Sequence, residues 1–150
     1  MTSRIYATKR SSIVNALAEK LKTIDGTGHF LTNVYDNVSP RLLFWDEVSD
    51  FPAIHLNAGQ ETREYQGGGY RDRFLNITLR CYVNEENAQD ALSALMEDVE
   101  TVLEDSSRLK YLDKQGVEHF THQISLMSLE TDEGVLEPLG VGELQIEVRY

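Results

Sequence analysis

Few side chains in this sequence have the type and spacing to do chemistry. Gly67-Gly68-Gly69 is a run of the kind that can cradle a phosphate. A cradle also needs a helix N-terminus beside it, and often a lysine. Here a strand pattern follows and no lysine is near, so the run reads as a hairpin tip. His119 and His122 stand three apart, with His29 and His55 elsewhere. On a strand that spacing sends the two rings to opposite faces, which spoils chelation. Cys81 is the single cysteine, so no intramolecular disulfide can form. It falls in an apolar row with Leu79 and Val83, where a thiol is a buried, inert group. A nucleophilic thiol would need an exposed, electropositive setting and a base. Glu130, Asp132, Glu133 and Glu137 could hold a hard cation. Their loop lacks the regular alternation of oxygen ligands and reads as a solvated acidic loop. No catalytic residue, cofactor or metal is expected.

The charge distribution is more informative. The chain has 150 residues, 14 Lys+Arg and 25 Asp+Glu, for a net charge of −11. Residues 1–75 are neutral overall, so the whole excess lies in residues 76–150. Such a body repels phosphate, which disfavours clamping nucleic acid or resting on an anionic membrane. Part of the excess lies on one helix, where Glu97, Glu100 and Glu104 stand opposite an apolar face. No Lys or Arg occurs between Arg80 and Arg108, so pairs four apart on the helix cannot relieve that face. It is either a solvated surface or one that must repel an anion or meet a basic partner.

Composition and periodicity define the elements that carry these groups. At 41% hydrophobic and 26% charged, the chain has apolar material for one core, hence a single domain over residues 1–150. No apolar run is long enough for a membrane helix, and the first residues have no signal-peptide character. Residues 11–24 predict a helix capped by Ser11 or Ser12 and stopped by Asp25-Gly26-Thr27-Gly28. Residues 30–38 predict a strand or extended segment and 51–56 a strand, with Pro52 at the start of the latter. Residues 41–50 are ambiguous. Glu61 and its neighbours, the glycine run and residues 70–83 predict a long hairpin. Asn87 with Asp90 predicts a cap for a helix whose apolar face runs from Ala88 to Leu103 and which Ser106-Ser107 closes. Residues 108–118 predict a polar turn region. Residues 120–129 predict a strand with Ile124, Leu126 and Leu129 inward. In 142–150, Leu144, Ile146, Val148 and Tyr150 alternate with charged and polar residues, predicting a last strand. The class is α+β: a mostly antiparallel sheet with a long β-hairpin and two main helices packed on it.

The order of motifs resembles a known family. Ile13-Val14-Asn15-Ala16-Leu17 on a short helix comes first, then Phe51-Pro52-Ala53-Ile54 leading into Gly59-Gln60-Glu61. A glycine hairpin, a strand ending at Tyr82-Val83 and an amphipathic helix follow. The chain closes on Pro138-Leu139-Gly140-Val141-Gly142-Glu143 and the strand to Tyr150. This is similar to the tail terminator (tail completion) proteins of long-tailed bacteriophages. The resemblance implies a structural, non-enzymatic subunit of a homo-oligomeric ring, a hexamer. The ring caps the tail tube protein, stops its polymerisation and meets the head–tail connector protein. It implies a place in the virion, at the head-proximal end of the tail, after assembly in the host cytoplasm. DNA passes through without specific binding. Closed rings let edge strands pair between subunits. The expected interface is therefore the last strand, with Leu144, Ile146, Val148 and Tyr150, and the long hairpin, with Arg71 and Arg73. The expected acidic lumen or partner face is Glu97, Glu100 and Glu104. Alternatives are another phage neck or head–tail joining subunit, or a small cytosolic enzyme or ligand-binding domain. No set of residues argues for the enzyme.

Overall fold

The computed structural model describes residues 8–42 and 47–150. Its elements are α1 (Lys9–Leu21), β1 (Val38–Ser39), β2 (Ala53–Tyr65), β3 (Arg71–Asn84), α2 (Ala88–Asp105), β4 (Lys110–Leu112), β5 (Glu118–Phe120), β6 (Gln123–Thr131) and β7 (Leu139–Arg149). Five strands form one sheet in the order β1-β2-β3-β7-β6, and β4 pairs with β5 in a separate hairpin. All pairs in the large sheet are antiparallel except β1 with β2. Both helices pack on the same face, α2 over β3 and β7 and α1 over β2 and β4. The fold is α+β, as the sequence predicts.

The period-2 rows explain why the core sits between sheet and helices. Leu75, Ile77, Leu79 and Cys81 of β3 face Val148, Ile146, Leu144 and Gly142 of β7 across the ladder. These positions are buried against Leu92, Leu95, Met96, Val99 and Val102 of α2. Burying each large aliphatic chain contributes about 1.5–3 kcal/mol. Gly142 is fixed by contact rather than by backbone conformation. A Cβ there would lie 2.7 Å from Met96 Sδ and 3.1 Å from Leu92 Cδ1. Glycine is what lets α2 lie directly on β7.

Several boundaries differ from expectation. α1 begins two residues early, because Thr8 and Ser11 form a capping box. It also stops at Leu21, with Lys22 as its cap. Asn87 precedes α2 without a side-chain cap bond, so the Asn87–Asp90 pairing does not form. Residues 30–38 are not a strand. Two of their apolar anchors, Val34 and Val38, are buried, and pairing is confined to an isolated bridge of Asn33 to Asp25 and to Val38–Ser39 on β2. The turn region 108–118 contains the β4–β5 hairpin. On β6, Leu126 and Leu129 lie opposite Ile146 and Leu144, on the inward face, yet remain exposed. Leu43, Phe44, Trp45 and Asp46, within the ambiguous segment, lie outside the described residues. The glycine run forms the tip joining β2 to β3, with Gly68 and Gly69 at positive φ.

Candidate assembly surfaces

β7 hydrogen-bonds β3 on one side and β6 on the other along its length. It has no free edge, and Leu144, Ile146, Val148 and Tyr150 are all buried within the subunit. These four residues pack in the core of the subunit. The chain terminus lies inside the sheet, where Tyr150 exchanges backbone hydrogen bonds with Arg73. The Tyr150 hydroxyl donates to Glu61 Oε1 across the hairpin. Burial, then the bond to Glu61, pushes the Tyr150 hydroxyl up to about 12. Burial raises the Glu61 carboxyl, but hydrogen bonds from Tyr150 and Arg63 outweigh it and hold the group below its usual range.

The sheet is open at its two flanks. β1 covers β2 only at Ile54 and His55, so the rest of β2 is an edge. Charge protects it: Glu61 pairs with Arg63 at 2.8 Å, Glu64 is exposed, and an Arg10 guanidinium donates to the Gly59 carbonyl. A cleft of about 560 Å³ runs beside this edge, with Val14, Pro40, Asn57 and Ala58 in its lining. β6 is the opposite edge, bulged between Leu126 and Ser128.

The two ends of the strands differ in charge. Where β7 ends and the β2–β3 hairpin projects, Lys9, Arg10, Arg63, Arg73 and Lys114 line a cleft of about 480 Å³. Arg73 lies over the Tyr150 ring at 5.5 Å. Arg71 is exposed nearer the hairpin tip. Asp113 joins this end, accepting from the Val117 and Gln115 amides and bonding His119 Nε2 at 2.9 Å. The His119 bond and those amides hold the Asp113 carboxyl down at about 2. At the other end, Glu85, Glu86 and Asp90 flank the start of α2, beside the 132–138 loop. Asp132 is occupied there: it accepts from Gln89 Nε2, the Leu136 amide and the Val141 amide. Sequence reading found the acidic helix and loop but placed neither at an end of the sheet. It missed the basic end, whose cations come from four separate segments.

Glu97 and Glu104 are exposed on α2, and Glu100 is half-buried. Among the described residues none of the three forms a salt bridge, so the acidic face is unrelieved as read. Asp98 differs from its acidic neighbours. It is 1% exposed, and its carboxylate accepts from the Leu31 amide and from the Thr32 amide and hydroxyl. The sequence offered one signal, since Asp98 falls in the stripe set by Leu95 and Val102. Cys81 is fully buried, and burial pushes its thiol up to about 12. Among the described residues no cluster of His, Cys, Asp and Glu could hold a metal ion, and no helix is long and apolar enough to cross a membrane.

Comparison with known proteins identifies the family to which these surfaces belong. A family model described as the bacteriophage tail tube terminator protein matches residues 7–150. The tail tube terminator protein p142 of Escherichia phage T5 is 32% identical over 149 residues, covering 94% of this chain and 92% of the relative. The chain is a member of the bacteriophage tail tube terminator family, a structural component of the phage tail.

Proposed function

We propose that this protein forms a closed ring of about six subunits that caps the head-proximal end of the tail tube. The cap stops tube polymerisation and presents its other rim to the head–tail connector. One observation supports this beyond family membership: the subunit is polar along its strands. One end carries the cleft of Lys9, Arg10, Arg63, Arg73 and Lys114, and the other carries Glu85, Glu86 and Asp90. β7 spans the gap, roughly 35 Å for its length at ~3.3 Å per residue. With strands along the ring axis, these ends become two unlike rims, as a cap between two different partners requires. Arg71 and Arg73 then belong to a rim. Glu97, Glu100 and Glu104 line the lumen, where their charge keeps passing DNA from binding. The subunit carries no reaction in this scheme. Assembly takes place in the host cytoplasm.

Particles from a phage lacking this gene test the proposal by negative-stain microscopy. Overlong tubes are the expected result. Finished tails of normal length that fail to join heads would instead make the protein a connector subunit.

A further inference from the structure

The two flanks of the sheet are guarded unequally. β2 is protected by its ion pair and by Arg10, whereas residues 123–129 of β6 carry no charge and no proline. Leu126, Met127 and Leu129 there are 37%, 60% and 42% exposed. Leu126 and Leu129 pair with Ile146 and Leu144, so their side chains belong to the helix-covered face, yet they remain open. An unguarded apolar edge invites pairing, and folded proteins avoid leaving one bare.

We propose that β6 of one copy seats on the α1–β2 cleft of the next copy, and that this contact closes the ring. The inference rests on the ring reading above and names the surfaces that build it. Three observations favour a second copy as the occupant. The cleft offers apolar surface among its polar lining, from Val14, Pro40 and Ala58, for the apolar side chains of β6. It also carries Arg10 and Arg41, while β6 itself carries Glu130 and leads into the acidic 132–138 loop. Finally, the two surfaces lie on opposite flanks of one sheet, with β3 and β7 between them. A contact between unlike flanks is head-to-tail and propagates to a ring, whereas β6 against β6 stops at a two-fold dimer.

Two kinds of variant test this in the full-length protein, alone and with tail tube protein. Met127→Lys places a charge on an exposed side chain, so its thermal midpoint should match that of the original protein. Its half-assembly concentration should rise at least about tenfold. Met127→Cys and Asn57→Cys proteins, mixed under oxidising conditions, should cross-link to each other and not to themselves. Rings that Met127→Lys leaves intact would overturn this inference alone. So would Met127→Cys linking to itself as readily as to Asn57→Cys, or rings that give no cross-link in the mixture. A protein that never assembles, even on tubes, would overturn the ring reading and this inference with it.

Discussion

Asp98 of α2 binds Thr32 twice: one carboxylate oxygen accepts from the Thr32 amide at 2.7 Å and from its hydroxyl at 2.6 Å. The Leu31 amide adds a third donor, at 2.9 Å to the other oxygen. This buried carboxylate fixes the long segment between α1 and β1, which has little secondary structure of its own. Removing it leaves three part-buried donors without their acceptor. Asp98→Ala should cost about 2–3 kcal/mol. That lowers the thermal midpoint by roughly 5–10 °C in calorimetry. A midpoint unchanged within error would mean that the segment is held by Val34 and Val38 alone.

Gly142 predicts a second stability effect of different origin. Gly142→Ala drives a methyl group into Met96 and Leu92. Pushing α2 off β7 should cost about 1–3 kcal/mol. Chemical denaturation measures it. Adding Met96→Ala to Gly142→Ala should recover part of the loss, because it removes the colliding sulfur. Losses that simply add would show that the strain lies elsewhere.

The β4–β5 hairpin has a pH signature through Asp113. Its folded-state pKa, about 2, lies below the ordinary value of 3.8. The stabilisation is therefore fully present above pH 3.8 and is lost as the pH falls toward 2. Thermal midpoints of the protein and of Asp113→Asn, measured across that range, should converge toward the acid end. A gap that stays constant would mean that His119 and the amides do not favour the charged form.

The acidic face of α2 gives a functional test. Glu97→Gln, Glu100→Gln and Glu104→Gln together should leave folding almost unchanged, since each solvated charge contributes only a few tenths of a kcal/mol. DNA transit should slow, measured as the time course of ejection from particles carrying the triple variant. Normal ejection and normal assembly together would reduce this face to a solvated surface.

What could be read in the sequence follows from the length and regularity of each element. β3, β7 and α2 repeat their pattern over many residues, and each is present where its periodicity lies. β4 and β5 are three residues each, too short for alternation to register. Residues 30–38 have strand-like composition, yet Asp98 binds their amides in place of a ladder. That bond crosses sixty-six residues and leaves no local trace. The neighbours of the last strand are hidden for a related reason. Alternation shows that Leu144, Ile146 and Val148 share a face, but not which strands flank them. β6 returns to cover the outer side of β7 and makes the last strand internal. The charge excess was legible as a difference between halves of the chain. Folding turns it into a difference between the two ends of one subunit, because β7 runs back from the acidic end to the basic one.

The central claim is that this subunit closes into a ring on the end of the tail tube. Tube protein polymerised with the purified protein, imaged by electron microscopy, tests it most directly. The account predicts short tubes bearing one ring-shaped density at a single end, with length falling as the added protein increases. A tube-length distribution unchanged by the protein, with no density at either end, would contradict it.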